Sequence, residues 1–291
     1  MRYTTFLALA VTVLLTTSST FLDDHKLCNG IIPENDMWIG IDSPLASKAM
    51  TKEIFDAVID RIETVYTPII EDMNFKFEIV RKWDDGTVNA YARRVGRTME
   101  VNMFGGLARH ASITPDGFAL VVCHETGHHL GGAPKLNSFF GSWASNEGQS
   151  DYWGVTKCMK KVFENDDNIQ IISGMTIPAT ITSKCSELFD NVNDSALCQR
   201  VAMAGNSLGN FFNVSSQGTT VVHVDTPDTR IVNRTDDKHP KAQCRLDTYF
   251  QASLCDISHD TNVSDNDATV GVCTRQAGYT QGVRPLCWYK P

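Results

Sequence analysis

Ile54, Val58, Ile62, Val65 and Ile69 recur at helical spacing, and Ser43-Pro44 ahead of Leu45 offers an N-cap with a first-turn proline. One long amphipathic helix is expected from there, with Pro68 as the place for a bend. The period then falls to two: in NFKFEIVRKW, Phe75, Phe77 and Ile79 alternate with Lys76 and Glu78, which predicts a strand. After the turn signal Asp85-Gly86, TVNAYARR and RTMEVNMF predict two more strands, closed by Gly105-Gly106. Thr114-Pro115-Asp116 opens a helix that carries FALVVCHETGHHL and stops at Gly131-Gly132. A further helix is expected from about Asn146 through Trp153 to about Phe163.

Beyond Glu164 the pattern weakens. ENDDN is a polar loop, ALCQRVAMAGNSLGNFF is helical, and QGTTVVHVDTPDTR mixes a short strand with turn residues. KHPKAQCRLDTYFQASLC predicts another helix, entered through Pro240. The tail from Asp256 to Pro291 is rich in Asp, Asn, Gly and Cys and is expected to be held mainly by disulfides. The fold class is α+β, with a disulfide-rich, partly helical C-terminal part.

Met1 to Thr20 have the form of a secretory signal: Arg2 supplies the charge, and Phe6 to Leu15 form an apolar run about half as long as a bilayer span. No other segment is long and apolar enough to span, so a soluble protein exported to the periplasm or secreted is expected. Cys28 follows His25, Lys26 and Leu27, a poor setting for lipidation, and no lipid anchor is expected. Loss of Arg2 takes the net charge from -8 to about -9. Such an acidic chain lacks the basic stripe that neutralises phosphates, which argues against a nucleic-acid partner. Its nine cysteines point to disulfides with at least one thiol left over, and six of them lie beyond Ser183. Cys244 and Cys255 should not pair if they share a helix, since their separation along it is about 16 Å.

HETGHHLGG, His124 to Gly132, brings in chemistry. His124 and His128 lie one helical turn apart and can grip one ion from the same face. His129 is turned about 140° away from His124 and is a bystander. Glu125, beside the first ligand, can take a proton from an activated water. A catalytic zinc needs a third protein ligand. The HExxHxxGxxH continuation is closed, because Pro134 stands where its third histidine would be. NEGQSD instead offers Glu147, nineteen residues beyond His128, with Asp151 one turn further on and placed to accept a hydrogen bond from a ligand histidine. The bland alternative is two acidic residues favoured by a helix N-terminus.

HETGHHLGG followed by NEGQSD resembles the gluzincin metallopeptidases, in which HExxH and a downstream glutamate bind zinc. TVNAYARRVGRTMEVNMFGGLARH and HPKAQCR, His239 to Arg245, narrow the resemblance to the HtpX-like and CAAX prenyl protease group, over roughly Val88 to Arg245. The resemblance implies a zincin-like fold with His124, His128 and Glu147 as ligands of one zinc ion, Glu125 as general base and Asp151 as its supporting carboxylate. It also implies that His239 approaches the active site and stabilises the oxyanion, and that Arg245 braces the glutamate ligand. From the residues alone, Arg245 reads instead as a solvated or ion-paired helix residue. Asn89-Ala90-Tyr91 is expected either to present an open edge to a substrate backbone or to be an ordinary amphipathic strand. The prenyl-processing members span membranes and this chain has no further span, so a prenylated substrate is not carried over. Cys123 is either a thiol near the zinc or a buried small hydrophobe.

The expected organisation is a signal at residues 1–20, a zincin-like metallopeptidase domain at 21–255 and a cysteine-containing extension at 256–291. The expected function is that of an exported zinc metalloendopeptidase acting on a protein or peptide substrate. The alternatives are a zinc-containing binding or chaperone-like protein with little turnover, and a zinc hydrolase of a non-peptide amide.

Overall fold

The computed structural model describes residues 30–137 and 142–291. The signal and Cys28 lie outside the described residues. Helix α1 (Lys52–Asp72) starts eight residues later than the Ser43 cap suggested. Ser43 Oγ caps only a local turn, accepting from Leu45 N at 3.2 Å, while Thr51 takes the N-cap and accepts from Ile54 N. Leu45 is exposed, so nothing there rewards helix formation by burial. The helix runs through Pro68 and turns Phe55, Ile59, Ile62 and Ile70 inward.

Three strands follow: β1 (Lys76–Lys82), β2 (Ala90–Val95) and β3 (Thr98–Phe104). The sheet order is β1-β3-β2, with β3 parallel to β1 and antiparallel to β2. β3 is the central strand. Its Met99, Val101 and Met103 enter the main core, which is why this strand is buried along nearly its whole length. Gly105 and Gly106 do more than close the strand, because they begin the short helix α2 (Gly105–Ala108).

Helix α3 (Pro115–Leu130) agrees with its expected bounds: Thr114 caps it, Pro115 takes the first turn and Gly131 ends it. Every residue from Gly117 to His129 is buried, so α3 is the core helix of the molecule. Arg200 on α8 (Val192–Ser215) grips its first turn through a two-pronged bond to Asp116, both at 2.8 Å. The expected helix after Asn146 forms in three pieces, α4 (Glu147–Trp153), a π-helical turn (Gly154–Met159) and α5 (Lys160–Phe163). Helices α6 (Asn168–Ile172) and α7 (Ala179–Leu188) lead into α8. Last comes α9 (Ala242–Ser253).

QGTTVVHVDTPDTR forms no strand. Val222 and Val224 are buried in a small apolar cluster with Leu246 and Phe250, and the backbone between them is held by Gln243, whose Oε1 accepts from His223 N at 3.0 Å. A side-chain partner thus replaces the ladder a strand would need.

Four disulfides join described residues: Cys123–Cys158, Cys185–Cys198, Cys244–Cys287 and Cys255–Cys273. Of the two expectations for Cys123, burial in the core holds and the free thiol near the zinc is corrected: it is half of a bond that ties α3 to the π-helical turn. That closure spans 35 residues, for which chain entropy gives a stabilisation of about 4 kcal/mol. The tail packs back on the core. Tyr152 donates to Gly282 O at 2.5 Å, and buried Trp288 donates to Thr248 at 2.9 Å. The disulfides suit an oxidising, exported setting, and no helix among the described residues is long and apolar enough to cross a membrane.

Lys160 is buried, with its ammonium donating to Cys255 O at 2.5 Å. Burial, with Lys157 adding, pushes its pKa down to about 7. A depressed folded pKa contributes stability that is present above the unfolded value and lost as pH falls towards 7. Wild type should therefore gain up to about 4 kcal/mol between pH 7 and 10 relative to Lys160→Met. Calorimetric Tm against pH checks this; parallel curves would refute it.

Candidate metal centre

The site is built where α3 and α4 pass close together. A Cβ at Gly127 would stand 3.1 Å from both Ser150 O and the Trp153 ring, so glycine permits an approach that a side chain would resist. Asn146 caps α4, accepting from Gln149 N at 2.9 Å, and Glu147 is the first residue of the helix. Its carboxylate thereby meets the histidine face of α3.

His124 and His128 lie 4.8 Å apart between ring centroids, with planes at 88°. Glu147 Oε2 is 3.3 Å from His124 Nε2, and Oε1 is 3.8 Å from His128 Nε2. These three residues offer ligand atoms that all lie within 4.8 Å of one another and could hold a metal ion. His124 Nε2, His128 Nε2 and Glu147 Oε2 are buried without a hydrogen-bond partner. Buried polar atoms are ordinarily paired, so three converging orphans have the chemistry of a cation site.

The outward nitrogens are fixed. His124 Nδ1 bonds Asp151 Oδ1 at 2.7 Å, while His128 Nδ1 lies 2.8 Å from Ser145 O and 3.0 Å from Ser150 Oγ. With Nδ1–H donating to an oxygen, each Nε2 keeps its lone pair for the ion. The charges agree. Burial alone would lower the His124 pKa, but the carboxylates of Asp151, Glu147 and Glu125 outweigh it and raise it to about 9. Burial pushes His128 down to about 4 against the pull of Glu147. For Glu147, burial is opposed by His239, His128 and His124, which hold its carboxyl well below the usual range. Carboxylates thus dominate the field at His124, and Glu147 is held as a carboxylate beside two imidazoles, an arrangement a cation completes.

Glu125 stands beside them, Oε2 3.9 Å from His128 Nε2, with both oxygens buried and unpartnered. Burial pushes its carboxyl up to about 8; His124 opposes the shift and Glu147 adds to it. His129 is the bystander expected, with Nε2 3.2 Å from Glu100 O and the ring stacked on Trp143 at 4.7 Å.

His239 reaches the site from the chain before α9: its Nε2 is 3.3 Å from Glu147 Oε2. Arg245 departs from expectation. It does not hold Glu147 but clamps Asp151, through Nε at 2.8 Å and Nη2 at 2.7 Å. Tyr249, one turn further along α9, donates to the same Asp151 oxygen at 2.5 Å. Asp151 therefore receives His124, Arg245 and Tyr249, and although burial would raise its pKa, Arg245 and His124 hold it down. Tyr249 and the serines were missed in the sequence; the four-residue spacing from Arg245 was the one signal for Tyr249.

β2 is an edge strand, as expected for Asn89-Ala90-Tyr91, but its start is occupied: Ile31 N donates to Ala90 O at 2.9 Å. A cavity of about 770 Å³, walled by Ile32, Met37, Phe212, Val222 and Pro240, reaches His239 and none of the three candidate ligands. Access to the centre from this side passes His239 first. Compared with known proteins, the chain matches no family model, no curated protein and no solved structure.

Proposed function

We propose that the protein is an exported, zinc-dependent endopeptidase of zincin-like architecture, related to the HtpX-like and CAAX prenyl protease group of gluzincins. The observation that carries this is the convergence of two imidazole nitrogens and one carboxylate within 4.8 Å, with a second, unpartnered carboxylate beside them. With Glu147 Oε2 3.3 Å from His124 Nε2 and Oε1 3.8 Å from His128 Nε2, these three side chains would hold one zinc ion. Three protein ligands leave a position open, as catalytic zinc requires.

Zinc supplies Lewis acidity there, polarising a carbonyl and acidifying water. Glu125 takes the proton of the attacking water and passes it to the leaving amine. His239 donates to the oxygen on which negative charge develops. Asp151, braced by Arg245 and Tyr249, keeps the His124 ring in register and its Nε2 basic.

The purified protein is expected to carry one zinc per chain and to hydrolyse casein. Chelation should abolish hydrolysis and added zinc should restore it, as followed by metal analysis and release of acid-soluble peptides. Zinc-loaded protein that cleaves nothing would leave the second reading, a zinc-containing binding protein, which is favoured by one observation: His124, Glu125 and His128 have no exposed surface.

A further inference from the structure

A hydrolytic centre must admit its substrate, and this one is sealed. On the His239 side, among the described residues, the group lying against it is the chain's own backbone. Gly30 O accepts a hydrogen bond from His239 Nε2 at 2.7 Å, and that same nitrogen faces Glu147 Oε2. From Gly30 the chain follows the start of β2. Ile31 N donates to Ala90 O at 2.9 Å, and Arg245 Nη1 donates to Ile31 O at 2.7 Å. The Asn89 side chain brackets Ile32, its Nδ2 donating to Ile32 O at 3.2 Å and its Oδ1 accepting from Ile32 N at 3.5 Å.

Two of these are contacts a bound peptide substrate would make: a carbonyl on the histidine assigned to the oxyanion, and a backbone bond to the start of an edge strand. The fit depends on glycine. Gly30 has φ +87°, and a Cβ there would stand 2.5 Å from both Ala90 O and Asn89 Oδ1. Any other residue is both strained and in collision with the strand it follows.

We propose that Gly30–Ile32 is a built-in substrate mimic that holds the metal centre latent, and that the Gly30 fit and the Asn89 bracket are what keep it docked. This rests on the hydrolase reading. An extended peptide competes for the same two partners, His239 and the β2 edge, so release of this segment is the step that precedes turnover. Ile31 has no exposed surface, so the segment is firmly seated and opens rarely.

The test uses the full zinc-loaded chain as wild type, Gly30→Ala and Asn89→Ala, the last as the milder change should the first fail to fold. Three quantities are read: the rate of zinc transfer to an excess of chromogenic chelator, amide hydrogen exchange over Ile31–Ile32, and casein hydrolysis per bound zinc. Faster exchange with at least tenfold faster zinc transfer, at unchanged zinc stoichiometry, is the expected result, with hydrolysis rising alongside. Unchanged zinc transfer in the variants overturns the proposal. So does hydrolysis that falls while exchange quickens, since the segment would then be a supporting wall. Faster transfer and exchange with no hydrolysis in any form, wild type included, keeps the gate and removes the hydrolase reading instead.

Discussion

Glu125→Gln is expected to lower casein hydrolysis about a thousandfold while leaving the zinc content at one per chain. The exchange conserves shape, and the site asks nothing of Glu125 but its charge and basicity, since neither carboxylate oxygen has a hydrogen-bond partner. Glutamine fills the same space and cannot take a proton from water. The pH profile supplies a second reading of the same group. Burial pushes the carboxyl to about 8, and a dication at the neighbouring ligands pulls it back, so the limb lies below that value. Because the base works as carboxylate, kcat/KM should climb with pH through that limb and lose it in the variant. Equal turnover by the two proteins at equal zinc would remove Glu125 from the reaction and the proposed mechanism with it.

Those parts of the site that rest on local spacing are legible in the sequence. Thr114, Pro115 and Gly131 bracket α3 within one segment, and the positions of His124, Glu125 and His128 follow from helical geometry alone. Glu147 and Asp151 were legible for the same reason, once Asn146 marked the start of α4. What crosses the molecule was not. Nothing in RTMEVNMF says that β3 lies between β1 and β2, because parallel pairing is a long-range choice. The bond between Cys123 and Cys158 is equally hidden, since eight bonded cysteines have many pairings and the π-helical turn that presents Cys158 carries no spacing signal. Ser43-Pro44 misled because a good local cap does not make a helix where the following apolar residue stays exposed. The family resemblance implied that Arg245 braces the glutamate ligand, but the packing of α9 against α4 decides that its carboxylate is Asp151.

That clamp makes Arg245→Leu the most destabilising single change expected outside the ligands. Arg245 is almost wholly buried, its guanidinium lies 3.7 Å from the centroid of the Phe212 ring, and it holds both oxygens of Asp151 while tying down Ile31 O. Leucine fills much of the volume and leaves a buried carboxylate with Tyr249 and His124 as its remaining partners. Removing one member of such a buried pair costs about 3–5 kcal/mol, and at this chain length that lowers Tm by about 5–9 °C. Zinc affinity should fall as well, by about 10–100-fold, because Asp151 orients the His124 ring through its 2.7 Å bond to Nδ1. The two losses separate in the double variant. Asp151→Asn added to Arg245→Leu removes the stranded charge, so calorimetry should recover part of the Tm, whereas an amide oxygen supports the imidazole less well and competition titration should find zinc affinity still weak. A double variant no more stable than Arg245→Leu would show that Arg245 acts through packing on Phe212 rather than through Asp151, and recovery of zinc binding would detach Asp151 from the metal centre.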